Sequence, residues 1–120
     1  MTENIINIGK LDPTLQEVTS KLGVKLNYGI DGTRSVSESN RLGMLWVGEN
    51  PIEIKERGKV IGLASNDGIR KYRFPSYKPN ATLSTTKIQA NFETYKIDPI
   101  SKKSVKFGNA HLDIDVKDKK

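Results

Sequence analysis

A chain of 120 residues, 35% hydrophobic and 28% charged, supports one folded domain with a modest core and excludes architectures built from repeats or paired domains. No stretch approaches the roughly 18 apolar residues of a membrane span, and the opening residues lack a signal peptide's basic leader and apolar run, so neither is expected. Zero cysteines exclude disulfides and thiolate chemistry, a single histidine argues against multi-histidine metal clusters, and the net charge of +6 points toward polyanionic partners.

Asp12-Pro13 opens a helical pattern through Leu15, Val18 and Leu22, with Asp12 as cap, Pro13 in the first turn and Gly23 as the stop. Residues 1–10 are expected to be flexible. Residues 27–33 are rich in turn formers and predict a loop. Ser35 or Ser37 then starts a second helix through Arg41, Leu42, Met44 and Leu45 toward Trp46-Val47-Gly48, a pattern that Gly43 weakens. After Pro51, Ile52, Ile54, Val60 and Ile61 predict extended segments separated by a turn near Arg57-Gly58.

Ser65-Asn66-Asp67-Gly68 is a hairpin turn, because Asp-Gly supplies the positive φ angles that a tight turn requires. A strand follows over residues 69–74 and should end at Pro75, with Pro79 marking a second interruption. Alternation resumes over 86–92 and extends through Tyr95 and Ile97 to a turn at Asp98-Pro99. A last strand runs from about Val105 to Val116, and residues 117–120 form a flexible tail. Helices at the start and strands afterwards predict an α+β domain over residues 1–120, with one or two N-terminal helices packed on a twisted antiparallel sheet.

The excess of positive charge lies in the second half of the chain. Residues 70–106 carry 9 basic and 2 acidic side chains, interleaved with Tyr72, Phe74, Tyr77, Phe92 and Tyr95, a composition suited to phosphates and stacked bases. His111 is the one side chain whose ordinary pKa permits proton transfer near neutrality. In the last strand, alternation puts Asn109, His111 and Asp113 on one face and Leu112 and Ile114 on the other. Gln89, Asn91 and Glu93 form a second polar series, and the two series make one groove if their strands are neighbours. Arg70, Tyr72 and Phe74 should share one face of their strand and Lys71 and Arg73 the other, so one arginine points away from any site. Lys102, Lys103 and Lys106 read as ordinary solvated residues of a turn. No metal-ligand constellation and no glycine-rich nucleotide loop appears. Metal-independent cleavage of RNA fits this set: a base takes the ribose 2'-hydroxyl proton, cations stabilise the phosphoryl oxygens, and an acid protonates the departing 5'-oxygen.

Four ordered blocks carry a family resemblance: Trp46-Val47-Gly48, the run of residues 65–80, Gln89-Ala90-Asn91-Phe92-Glu93, and Asn109-Ala110-His111-Leu112-Asp113-Ile114. They run from Trp46 to Ile114, and over roughly residues 41–116 the chain resembles the C-terminal ribonuclease toxin domains of bacterial polymorphic toxins, of contact-dependent growth inhibition and Rhs type. The resemblance implies the barnase, EndoU, colicin and RelE-like fold and an endoribonuclease, with RNA, including transfer RNA, as substrate and no cofactor. It also implies a monomer without membrane insertion, delivered as part of a larger effector into the target cell's cytoplasm. A cognate immunity protein, acidic to match the basic domain, would block the active site. Carried over block by block, it points to His111, Lys78, Arg70, Arg73 and Glu93 as catalytic, His111 and Lys78 foremost. Tyr72, Tyr77, Asn91, Asn109, Lys71 and Lys87 would contact RNA, with Asn91 and Asn109 positioning it. Residues 81–87 lengthen the passage to the third block and depart from the family's compact pattern.

Two other readings compete. A binding module that holds nucleic acid without cutting it explains the charge and aromatics equally well, and the Asn109-to-Asp113 series less naturally. An immunity partner would more often be acidic when its target is a basic nuclease.

Overall fold

A computed structural model describes residues 2–80, 84 and 86–115 of the chain. The elements run α1 (Thr2–Gly9), α2 (Pro13–Ser20), β1 (Asn27–Arg34), α3 (Val36–Val47), β2 (Ile52–Glu56), β3 (Lys59–Ala64), β4 (Arg70–Tyr77), β5 (Ile88–Ile97) and β6 (Ser104–Ile114). The six strands form one sheet in the order β1-β6-β5-β4-β3-β2. The domain is α+β, as expected, but its sheet is mixed: β1 runs parallel to β6, and every other neighbouring pair is antiparallel.

The helix boundaries follow from their caps. The Asp12 side chain accepts from the Thr14 backbone N–H at 2.8 Å with Pro13 in the first turn, and Ser35 accepts from the Glu38 N–H at 3.1 Å. Gly48, at φ 75°, closes α3 in a conformation that a side chain would oppose. Residues 2–9 form α1, and the loop expected over 27–33 is corrected to β1. Tyr28 and Ile30 alternate toward the core there despite the turn formers between them, and the Tyr28 hydroxyl donates to the Val18 carbonyl. Strand β4 also continues past Pro75, where the register with β5 shifts between Arg73 and Ser76. A bulge accommodates a proline because one ladder bond is already missing there. Val116, the 117–120 tail and most of the 81–87 insertion lie outside the described residues. No described helix is long and apolar enough to cross a membrane.

The core lies between the helices and one sheet face. Leu15 and Val18 of α2 and Leu42, Trp46 and Val47 of α3 pack on Tyr72, Ala90, Phe92, Ala110, Leu112 and Ile114. The Trp46 indole N–H reaches the Lys71 and Glu93 carbonyls at 3.2 and 3.3 Å, tying α3 to β4 and β5, while its ring meets Phe92 edge-on at 6.2 Å. Because strand side chains alternate, every residue these strands commit to the core leaves its neighbour on the opposite face.

Candidate functional site on the polar sheet face

Strands β5 and β6 are adjacent and antiparallel, pairing Gln89 with Asp113, Asn91 with His111 and Glu93 with Asn109. The two polar series read from the sequence therefore meet across one strand pair. Strand β4 adds Lys71 opposite Glu93 and Arg73 opposite Asn91, and β1 adds Asn27 opposite Asn109. Lys78, just beyond β4, reaches over the same face to Asn91.

Glu93 anchors one end of this face. It is 2% exposed and accepts from Arg73 Nε at 2.8 Å, Lys106 Nζ at 3.2 Å and the Tyr95 hydroxyl at 2.6 Å. Burial alone would raise its pKa, but the Tyr95 hydroxyl and the two cations more than offset that and hold the carboxyl below its usual range. Tyr95 is pushed up to about 12 by its own burial and by Glu93, so its hydroxyl keeps its proton. The Lys71 ammonium sits 4.3 Å from the Tyr95 ring centroid, adding a third cation to this end.

The other end holds His111 and Lys78, both half-buried. Lys78 donates to Asn91 Oδ1, and Asn91 Nδ2 lies 2.9 Å from Asn109 Oδ1 and 3.1 Å from His111 Nδ1. Asn109 Nδ2 donates to Asn27 Oδ1 at 3.0 Å, and His111 Nε2 lies 3.5 Å from the same oxygen. Burial lowers the His111 pKa, Lys78 and Lys106 lower it further, and Glu93 and Asp113 oppose them, so the imidazole is neutral at pH 7. Burial likewise lowers Lys78, with Arg73 and Lys106 adding to the effect against Glu93. Asp113 accepts from Gln89 Nε2 at 2.9 Å and Ser84 Oγ at 2.8 Å.

His111, Lys78, Arg73, Glu93, Asn91, Asn109 and Lys71 are thus brought together. Lys87 flanks them, its carbonyl accepting from the Lys78 backbone N–H at 2.6 Å. Three expectations are corrected. Arg70 is turned to the helix side, where it is buried and its Nε donates to the Trp46 carbonyl at 2.8 Å at the C-terminal end of α3. Tyr72 is 1% exposed in the core, its hydroxyl shared between Ser39 and Asn40, so it cannot stack on a base. Tyr77 is 70% exposed but pairs with Ile88, a residue packed against the core, and so takes the register of the helix-covered face.

Sequence reading also missed Lys106, Tyr95 and Asn27 as members of the site. Counting by twos from Asn109 assigns Lys106 to the core face. The β5–β6 register shifts between Thr94 and Tyr95, pairing Tyr95 with Lys106 and turning the lysine onto the polar face.

The ionised, buried Glu93 makes a stability prediction. Its folded pKa lies below the ordinary 4.5, so the unfolded chain binds its proton first, and the stabilisation present above pH 4.5 is lost as pH falls through the lower folded value. Denaturant midpoints measured from pH 7 to pH 3 should fall over that window. The Glu93→Gln variant should show a flatter dependence.

Among the described residues, no three His, Asp or Glu side chains cluster so as to hold a metal ion. No protein-family model, curated protein or solved structure matches the chain.

Proposed function

We propose that this chain is an endoribonuclease toxin domain that cleaves RNA by attack of the ribose 2'-hydroxyl on the adjacent phosphate, leaving a 2',3'-cyclic phosphate and a 5'-hydroxyl. The observation that carries this reading is the gathering of a neutral imidazole and an ammonium, His111 and Lys78, on one sheet face beside the fixed cations Arg73 and Lys106. Two residues along a strand span about 6.6 Å, so the His111 row and the Glu93 row lie within reach of one nucleotide unit. His111 takes the 2'-hydroxyl proton, Lys78 protonates the departing 5'-oxygen, and Arg73 and Lys106 meet the charge growing on the phosphoryl oxygens. Glu93, too buried to touch RNA, positions the two cations and Tyr95.

These cations supply the charge that a metal would otherwise supply, which supports a metal-independent reaction. Transfer RNA is the substrate we favour. An open cationic face also suits an acidic protein that would cover it, the immunity partner of a toxin delivered into the cytoplasm of a target bacterium as part of a larger effector. Purified protein incubated with transfer RNA and ribosomal RNA in excess EDTA should yield discrete fragments ending in cyclic phosphate. Bound but intact RNA after prolonged incubation would replace this reading with a non-catalytic binding module.

A further inference from the structure

On the proposed catalytic face, the chain of amides around His111 has a direction. An ammonium can only donate, so the Asn91 oxygen must face Lys78 and the Asn91 NH2 group must face His111 and Asn109. His111 Nδ1 must then accept, which leaves the ring proton on Nε2, pointing toward Asn27 Oδ1. The same direction continues through Asn109, whose oxygen accepts from Asn91 and whose NH2 group donates to Asn27. Every one of these polar atoms is satisfied in this one sense.

This arrangement leaves the imidazole without an outward lone pair. Nδ1 is held by Asn91 and Nε2 carries the proton, so the resting ring cannot take a proton from a hydroxyl placed over the face. Lys78 holds it there, because turning the Asn91 amide over would set its NH2 group against the ammonium. A phosphate changes the balance: with its oxygens as new partners, the ammonium no longer needs the Asn91 oxygen.

We infer that Asn91 is a positioning residue for His111, locked by Lys78 in the resting protein and released when a phosphodiester engages Lys78. In the released state the Asn91 amide turns over. Its oxygen accepts from His111 Nδ1–H, and its NH2 group donates to a phosphate oxygen. Water takes the proton from Nε2 and returns one to Nδ1, so the ring stays neutral and its Nε2 lone pair becomes available to a substrate hydroxyl that displaces the exposed Asn27 side chain from its long 3.5 Å contact. Asn109 has both a donor and an acceptor and can reverse with Asn91, and the exposed Asn27 amide turns with it so that an NH2 group, not an oxygen, meets the Asn109 oxygen. In the resting protein, burial favours the neutral ring, and of the charged groups facing it Lys78 and Lys106 act in the same sense while Glu93 and Asp113 oppose them. The catalytic use of this switch rests on the ribonuclease reading; the resting tautomer does not.

The single histidine makes the test direct, since nitrogen-15 NMR of the imidazole reports one ring. The free protein at pH 7.5 to 8 should show the proton on Nε2. Asn91→Asp, whose carboxylate can only accept, should move the proton to Nδ1 and raise the His111 pKa. Lys78→Met, which removes the lock, should give a mixture of tautomers. A 2'-deoxydinucleotide, which binds through its phosphodiester but lacks the attacking hydroxyl, should move the wild-type proton to Nδ1. An Nδ1–H ring in the free wild-type protein would overturn the lock, and this measurement needs no variant to fold. A bound deoxydinucleotide with the proton still on Nε2 would overturn the release while leaving the ribonuclease reading intact. No binding by any nucleic acid would overturn both.

Discussion

Replacing His111 by alanine is expected to lower the rate of RNA cleavage about 10²–10⁴-fold, the loss typical of removing a positioned proton-transfer group, while leaving RNA binding and the thermal melt close to wild type. The separation is expected because the half-buried ring sits on the polar sheet face and contributes nothing to the apolar core. Lys78→Met should give a loss of similar order through the leaving-group oxygen. The pH profile provides an independent check. The His111 pKa lies below its ordinary 6.5, so the base form is lost, and the rate falls, only as pH drops through that lowered value. The Lys78 pKa lies below 10.5, so the acid form is lost as pH rises through its own lowered value. On the proposed ribonuclease reading, the wild-type protein should therefore give a bell-shaped profile whose acid limb disappears from the residual activity of His111→Ala. A variant that cleaves at the wild-type rate would remove His111 from the chemistry.

Much of this site was legible in the sequence because antiparallel strands carry their own address. The series Gln89, Asn91, Glu93 and Asn109, His111, Asp113 each step by two, and the apolar Ala90, Phe92, Leu112 and Ile114 between them declare which side is core. The α2 and α3 caps were legible for a similar reason, since Asp12-Pro13 and Ser35 act on backbone groups within three residues. What alternation could not show was which side of β4 faces the site. Period two separates Arg70 and Tyr72 from Lys71 and Arg73, and only the packing of α3 on the sheet, with Gly43 close against Tyr72, makes the first pair the buried one. Lys106 was hidden by the shift of register beside Tyr95, because a bulge breaks the count by twos along the strand. Asn27 was hidden by distance: it meets Asn109 across 82 residues through the parallel β1–β6 pair, a partnership with no local signature.

Gly43 illustrates how a residue that weakens a local pattern can be required by the tertiary one. In isolation, Gly43→Ala should strengthen α3 by roughly 1 kcal/mol. In the folded domain a Cβ at this position would lie 2.3 to 2.5 Å from three ring atoms of Tyr72, far inside van der Waals contact. The ring has little freedom to yield. It packs against Phe74 and Phe92 at centroid distances of 5.9 and 5.1 Å, and its hydroxyl is fixed by Ser39 and Asn40 at 2.7 Å each. Relief must come from moving α3 off the sheet, which would also loosen Trp46 from β4 and β5. We expect Gly43→Ala to cost about 2–3 kcal/mol net and to lower Tm by roughly 10 °C, whereas the exposed neighbour Met44→Ala should stay near wild type. A double-mutant cycle separates the cause: Tyr72→Leu is destabilising by itself, but in its background Gly43→Ala should cost far less than in the wild type. An unchanged or higher Tm for Gly43→Ala alone would show that α3 does not need this close approach, and the orientation of β4 would then require a different physical cause.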